Sequence, residues 1–268
     1  MMELLTEAAR KIGLALTPAH LRAFQAYYEE LIAWNQRFNL TAITEYDHGQ
    51  IRHFLDSLTC LLAIDNDRDG KRGERRRPGV PAPGTRAIDV GSGAGFPGLP
   101  IKILHPQLDL TLLEATGKKA EFLEHVVAHL ALKTVTVIHG RAEEAGQEKV
   151  HREGYDLVLA RAVADLPVLV EYLLPLCRLG GKCIAQKGSS AHEELAMAQH
   201  AIALLGGEMH YVIPVELPGL AETRHLVVIN KVARTPQKYP RRPGIPSKRP
   251  LLNSSPPAVG SSPTSHTT

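Results

Sequence analysis

The chain has 268 residues, 44% of them hydrophobic, which suits a protein with a packed core and excludes disorder of the whole chain. Its net charge is only +3, and its apolar stretches are interrupted before the roughly 20 residues that a bilayer helix needs, so we expect no membrane contact. The first residues also lack the plan of a secretory signal, which predicts a cytoplasmic protein.

Residues 1–64 are predicted to form an N-terminal helical region. Thr17 followed by Pro18 is typical of a helix start, and apolar residues recur after it at helical spacing. A second helix is predicted over residues 50–64. The polar segment between the two helices, WNQRFNLTAIT, is expected to be irregular.

Residues 65–84, DNDRDGKRGERRRPGVPAPG, have almost no apolar side chains and many prolines and glycines. Such a segment cannot bury enough surface to order itself, so we predict a flexible basic insert. The basic residues here and after Arg234 suit a polyanion, although a merely solubilising loop and tail is the alternative.

Residues 85–232 alternate short apolar runs with amphipathic stretches, as β-α-β units around a parallel sheet do. Helices are predicted between the first six runs, notably over 118–132 and 191–205. The link at 217–224 is too short for a crossover helix, so the last strand is expected to be antiparallel. The seven predicted strands are RAIDV, LTLLEA, VTVIH, YDLVLA, KCIAQK, MHYVIPVE and HLVVINK.

This pattern predicts an α/β protein with about seven strands, mostly parallel, and a terminal antiparallel hairpin. It resembles the class I S-adenosylmethionine-dependent methyltransferase fold, which is Rossmann-like, here with an N-terminal helical extension. Residues 85–232 would then be the methyltransferase domain.

The remainder of the chain is rich in proline, serine and threonine. Residues 233–250 form a basic, proline-rich segment, which proline should keep extended, so that its cations could clamp an RNA backbone. Residues 251–268 are predicted to be a disordered tail. The cations between residues 238 and 249 are Lys238, Arg241, Arg242, Lys248 and Arg249.

The strongest local motif is DVGSGAGFPG, which begins at Asp89 and lies between a predicted strand and a predicted helix. Its glycines permit a sharp turn and a close approach of the backbone to a ligand. Glu114 ends the next strand, where an acid can bind ribose hydroxyls. The glycines in G-x-G-x-G spacing are Gly91, Gly93 and Gly95.

Two ligands use such a loop. A nicotinamide dinucleotide would require a glycine at position 96, which is Phe96. S-adenosylmethionine has no pyrophosphate to accommodate, so the tight spacing favours this methyl donor as the cofactor.

An ordered series of motifs makes the chain resemble one family over about residues 20–250. The motifs are NLTAIT, HFLDSL, DVGSGAGFPGLPIKI, LLEATGKKAEFL, GRAEE, LVLARAVA, QKG, TRHLVVI and KYPRRPGIPSKRPL. They resemble the ribosomal RNA small subunit methyltransferase G family, also called the glucose-inhibited division protein B group.

This resemblance implies methylation of N7 of a guanine in 16S ribosomal RNA, with that RNA or the small ribosomal subunit as the partner. It also implies a donor site that includes Gly91, Phe96, Ala142, Glu143 and Arg161. A structural role is the alternative for some of these residues: Phe96 could belong to the core, and Glu143 could favour a helix start. Asp89, at the start of the glycine motif, is also predicted to bind the donor, with a bonded acid at a strand end as the alternative.

The residues after the fourth strand, ARAVADLP, distinguish between types of methyl transfer. They lack the Asn/Asp-Pro-Pro-aromatic turn that is typical of exocyclic amino methyltransferases. Methylation of pyrimidine carbon 5 needs a cysteine nucleophile, but Cys177 and Cys183 lie in apolar segments. Guanine N7 has a free lone pair and needs no general base, so the enzyme has only to align the reactants.

No catalytic residue is therefore assigned, and four residues are candidates for contacts with the donor or the RNA. Arg161 is a candidate for the methionine carboxylate of the donor or for a phosphate. Lys187, Arg224 and His225 lie at strand ends on the ligand side and could hold RNA phosphates or guanine O6, with solvated surface charge as the alternative.

Cysteines and histidines give no metal prediction. Cys60, like the other two cysteines, is expected to be a buried thiol. His125 and His129 lie four residues apart on a predicted helix, but EFLEHVVAHL lacks the H-E-x-x-H order of zinc proteases, so no metal is expected.

Two other functions stay open: a small-molecule methyltransferase, and a non-catalytic RNA-binding or ribosome assembly factor.

Overall fold

The computed structural model describes residues 2–64 and 77–252. Its N-terminal region is helical, as predicted, and Thr17 caps the long second helix by accepting a hydrogen bond from the backbone N–H of His20 at 3.2 Å. The elements are α1 (Glu3–Lys11), α2 (Pro18–Phe38), α3 (Tyr46–Gly49), a π-helix (Gln50–Leu55), α4 (Asp56–Leu58) and a 3-10 helix (Thr59–Ala63).

The end of α2 differs from the prediction. The segment from Trp34 was expected to be irregular, yet the helix continues to Phe38, and Asn39, whose φ is 44°, caps its end. Packing explains the difference: the ring of Trp34 lies 5.7 Å from that of Phe122, in a later helix. The predicted helix over 50–64 is present as a continuous series of helical turns.

Seven strands form one sheet, and every predicted strand is present. They are β1 (Arg86–Val90), β2 (Asp109–Glu114), β3 (Val135–His139), β4 (Tyr155–Arg161), β5 (Cys177–Lys187), β6 (Gly207–Val215) and β7 (Arg224–Lys231). Their order is β3-β2-β1-β4-β5-β7-β6. Only β7 runs antiparallel to its neighbours, β5 and β6, which confirms the predicted hairpin and places β7 inside the sheet.

Helices connect the first six strands and cover both faces of the sheet. The connecting helices are α5 (Gly98–Leu104), α6 (Gly117–His129), α7 (Ala142–Ala145), α8 (Leu166–Leu173) and α9 (Ala191–Leu204), and a last short helix is α10 (Ile245–Lys248). The N-terminal helices, α5 and α6 bury apolar residues on one face of the sheet, and α8 and α9 do so on the other. The predicted helices at 118–132 and 191–205 correspond to α6 and α9.

The end of the predicted flexible insert is packed. Gly79 is buried, and its N–H donates to the carbonyl of Leu61 at 2.8 Å. The rest of that insert, residues 65–76, lies outside the described residues, as does the predicted disordered tail from residue 253. Leu251 packs against the core cluster around α8 and α9. In the part of the chain that the structure describes, no helix is both long and apolar enough to cross a membrane.

The basic segment 233–250 is not extended, contrary to the prediction. Arg241 forms hydrogen bonds of 2.6 to 3.1 Å with the carboxylate of Glu171, a side chain of α8 with no exposed surface. Arg152 donates to the carbonyls of Thr235 and Tyr239 at 2.8 and 2.7 Å. These partly buried polar bonds hold the segment against α8 and against the loop that follows α7, which the proline content alone did not reveal.

We expect Arg241→Met to lower the free energy of unfolding by about 3 kcal/mol, because the substitution leaves the buried Glu171 carboxylate without its ionic partner. Urea titration measures the change. Arg242→Met is the matched control, since Arg242 is exposed and its loss should cost no more than about 0.5 kcal/mol. Equal losses in the two variants would mean that the ion pair does not anchor the segment.

Candidate active site

A glycine-rich loop follows β1 at the carboxyl edge of the sheet. The backbone N–H groups of Gly91 and Ser92 donate to the carbonyl of Leu113 in β2, at 2.8 and 3.1 Å, and tie the loop to that strand. The φ angles of Gly91, Gly93 and Gly95 are 67°, 59° and 96°, in the left-handed region that favours glycine. The loop therefore needs glycine at these three positions for its conformation alone.

The three glycines differ in the space around them. A Cβ at Gly91 would lie 2.8 Å from Val163, and one at Gly95 would meet Leu99 and Tyr27. At Gly93 the nearest atom would be the carbonyl oxygen of Gly91, 3.9 Å away. Packing accounts for the first and the third glycine, whereas Gly93 faces open space that a ligand can occupy.

Glu114 fixes the loop from the end of β2. One carboxylate oxygen accepts from the N–H of Gly93 at 2.8 Å, and the other accepts from the N–H of Thr116 at 2.8 Å. Each oxygen has a second lone pair, so the carboxylate can also accept from ribose hydroxyls. An open cradle at Gly93 beside this acid fits S-adenosylmethionine.

Asp89, at the end of β1, lies beneath the loop with no exposed surface. Its Oδ2 accepts from the N–H of Gly98 at 2.8 Å and so supports the start of α5, while Oδ1 has no partner among the described residues. Burial raises the pKa of this carboxyl to about 7. The Asp89 carboxylate thus holds the start of α5, directly after the glycine loop.

Phe96 lies in the core between the loop and the N-terminal helices. Its ring stacks on that of His53 at a centroid distance of 4.6 Å and on that of Tyr27 at 5.4 Å. The hydroxyl of Tyr27 also donates to the carbonyl of Ala94 in the loop. These contacts favour the structural role for Phe96, as a link between the donor loop and the N-terminal region.

Arg161 ends β4 and is already engaged. Its guanidinium lies 3.1 Å from Oδ2 of Asp56, donates to the carbonyl of Arg52 at 2.9 Å and sits 4.9 Å from the centre of the Phe96 ring. Burial raises the pKa of Asp56, although the positive charge of Arg161 opposes that rise. The charge of Arg161 is thereby partly neutralised within the protein.

Ala142 and Glu143 begin α7, after β3. The side chain of Glu143 is 5% exposed, and its Oε1 accepts from the N–H of Gly244 at 3.0 Å. This bond attaches the C-terminal segment to α7, so Glu143 has a structural partner in addition to its predicted role at the donor.

The other predicted cations, Lys187, His225 and Arg224, differ in their exposure and in the partners they already have. Lys187 forms a 2.6 Å ion pair with Glu194, and both side chains are largely buried. His225 is hydrogen-bonded through Nδ1 to the carbonyl of Gly188 at 3.0 Å. Arg224 is 30% exposed, more than Lys187, and its Nη1 lies 4.0 Å from a carboxylate oxygen of Glu222. Its Nε is buried and has no partner among the described residues.

Sequence reasoning missed the N-terminal contributors to this site. Tyr27, His53 and Asp56 were assigned no function, yet they contact the glycine loop or Arg161. Gln186 was also missed, and its amide donates to the carbonyl of Asp56 at 2.6 Å and to Thr59 at 3.2 Å. The only available signal was the motif HFLDSL, in which a histidine and an aspartate interrupt an apolar run.

The strand order, the antiparallel β7, the glycine loop and the acid at the end of β2 define a class I S-adenosylmethionine-dependent methyltransferase. Residues 20–227 match the family described as rRNA small subunit methyltransferase G. The chain belongs to that family.

Curated relatives support the same family assignment. The chain is 52% identical to the ribosomal RNA small subunit methyltransferase G of Roseiflexus castenholzii, over 92% of this chain and 98% of the relative. It is 47% identical to the protein of the same name from Dehalococcoides mccartyi, over 88% of this chain and 94% of the relative. Among solved structures, a predicted O-methyltransferase from Agrobacterium tumefaciens has a TM-score of 0.47 at 20% identity, over 67% of this chain and 81% of that one.

We expect Gly93→Val to weaken the binding of S-adenosylmethionine by about 100-fold or more, because the new side chain fills the open cradle. Isothermal titration measures the affinity. Gly84→Val is the matched control: Gly84 also has a positive φ, of 79°, with nothing within 4 Å, but lies before β1. If both variants bind the donor like the original chain, the donor does not lie at Gly93.

We also expect His53 to make the fold sensitive to acid. Burial, helped by the charge of Arg161, lowers the pKa of His53 from 6.5 to about 4. Between these values only the unfolded chain binds the proton, so stability is lost as the pH falls from 6.5 towards 4. Between pH 7 and 4.5, His53→Gln should lose less free energy of unfolding than the original chain, by about 2 kcal/mol.

Urea titrations at the two pH values measure this difference. Asp89, whose pKa is raised, contributes with the opposite sign, but it does so in both proteins and therefore drops out of the comparison. The exposed His200 supplies the control variant His200→Gln, which should respond to pH like the original chain. If His53→Gln loses as much stability between the two pH values as the original chain, His53 is not the source of the acid sensitivity.

Proposed function

We propose that this protein transfers a methyl group from S-adenosylmethionine to N7 of a guanine in 16S ribosomal RNA. The observation that carries the proposal is the open cradle at Gly93 beside Glu114, in a chain that belongs to the methyltransferase G family. The donor supplies an electrophilic methyl group on a sulfonium. The residues of this chain bind the donor and orient the base.

The proposed donor site is formed by the loop at Gly91 and Gly93, by Glu114 for the ribose, and by Ala142 at the start of α7. Asp89 holds the start of α5 directly after the loop, and Phe96 links the loop to the N-terminal region. We assign Arg161 primarily to positioning, because its ion pair with Asp56 already occupies the guanidinium. Glu143 is assigned to the attachment of the C-terminal segment.

The proposed chemistry requires no general base. The N7 lone pair lies in the plane of guanine and attacks the methyl group directly, so alignment supplies most of the catalysis, about 7 to 11 kcal/mol in favourable cases. Cys60 and Cys183 are buried, and burial raises the pKa of both thiols, which disfavours pyrimidine chemistry through a thiolate. Cys177 is buried as well.

The proposed RNA surface combines Arg224 with the exposed cations of the C-terminal segment. We assign the partly exposed guanidinium of Arg224 to a phosphate or to guanine O6. The segment is folded against α7 and α8. Its cations other than Arg241 lie at the surface as Arg234, Lys238, Arg242, Lys248 and Arg249. We also propose a cytoplasmic location, which a substrate of this kind supports.

The test uses 16S ribosomal RNA and small subunits from cells that lack the gene. Incubation with the protein and labelled donor should add one methyl group per RNA, and nuclease digestion with mass spectrometry should identify 7-methylguanosine. Gly93→Val should abolish transfer, whereas Gly84→Val should retain it. Comparison of the naked RNA with the assembled subunit identifies which of them is the substrate.

Other results would favour the alternatives. Methylation of another atom or base would overturn the assignment to N7. Donor binding without transfer to either RNA substrate would favour a non-catalytic assembly factor. Transfer to small guanine nucleosides at rates that match those on RNA would favour a small-molecule enzyme.

A further inference from the structure

A cluster of three potential metal ligands lies where α2 packs on α6. The fold brings Glu30 of α2 next to His125 and His129, which share one face of α6. His125 Nε2 lies 2.6 Å from one oxygen of the Glu30 carboxylate, and His129 Nδ1 lies 3.8 Å from the other. One potential ligand atom from each residue lies within 4.8 Å of the other two.

We propose that Glu30, His125 and His129 bind one Zn²⁺ ion. Two imidazoles and a carboxylate are a ligand set that zinc uses, with bonds of about 2.0 to 2.2 Å and a water in the fourth position. Tetrahedral bonds of that length place ligand atoms about 3.3 Å apart, so rotations of these side chains are enough to reach the geometry. The sequence alone predicted no metal here, because EFLEHVVAHL lacks a zinc-protease pattern. The third ligand lies 95 residues away from His125, outside any local pattern.

The exposure of the cluster suits an ion that enters from solvent. The side chains are 38% exposed for His125, 24% for Glu30 and 44% for His129. Without a metal, one carboxylate faces two imidazole rings. A zinc ion instead binds both neutral rings and the carboxylate at once.

The expected consequence is a cross-link between two parts of the protein. Glu30 belongs to the N-terminal helical region, whereas both histidines belong to the helix that follows β2. Trp34 and Phe122 already form an aromatic contact between the same helices. Zinc should therefore stabilise the docking of α2 on α6 and leave the residues of the donor site unchanged.

The chain contains a single tryptophan, which makes the site observable. The ring of Trp34 lies 4.9 Å from that of His125, so zinc binding should change the tryptophan emission. We expect the metal-free, full-length protein to bind one equivalent of Zn²⁺ with a dissociation constant of about 10 μM or below in isothermal titration. The fluorescence change should have the same midpoint, and zinc should raise the melting temperature.

Variants identify the ligands. His129→Ala and Glu30→Gln should each weaken zinc binding by about 10-fold or more and remove the rise in melting temperature. The control is His200→Ala on α9, because His200 is exposed and outside the cluster, and it should bind zinc like the original chain. Circular dichroism and donor affinity, measured in parallel, show that each variant is folded.

Two results would overturn the proposal. One is weak binding of several ions without saturation, as expected of scattered surface histidines. The other is one-equivalent binding that persists in folded His129→Ala and Glu30→Gln, which would place the metal elsewhere. Neither result affects the methyltransferase assignment, which is tested separately by donor binding and methyl transfer.

Discussion

Arg161 and Asp56 form an ion pair that is almost entirely removed from water, with exposed side-chain fractions of 16% and 6%. Buried charges are tolerated only when their remaining bonds are satisfied, because desolvation otherwise exceeds their mutual attraction. Here the carbonyl of Arg52 accepts a second bond from the guanidinium, and Gln186 donates to Asp56. The N-terminal helices must dock in one position for the end of β4 to be stable.

That docking also determines the shape of the donor loop. Phe96 leaves the loop and inserts between the rings of His53 and Tyr27, and the Tyr27 hydroxyl bonds to the loop carbonyl of Ala94. The N-terminal region is therefore a structural part of the proposed donor site. Because donor binding and the docking of the N-terminal helices depend on the same contacts, each should favour the other through thermodynamic linkage.

The sequence was sufficient to predict the elements that a short stretch of residues determines. Buried parallel strands produce short apolar runs, and the turn after β1 requires glycine, so the sheet and the loop could be predicted. The partners of the charged residues could not be predicted from the sequence. Arg161 and Asp56 are 105 residues apart, and Arg241 and Glu171 are 70 residues apart, so the cations appeared free for ligands. Packing of Trp34 likewise extended a helix beyond its local pattern.

The folded state of the C-terminal segment changes how it would bind RNA. An extended chain loses conformational entropy when it orders along a phosphate backbone, and this loss weakens binding for a given contact area. Here Arg152, Glu143 and Glu171 order the segment before any RNA arrives. Its exposed cations then form a fixed surface next to α7, whose first residue, Ala142, borders the proposed donor site. RNA held on that surface would be positioned relative to the methyl donor, which is what alignment-driven transfer to guanine N7 requires.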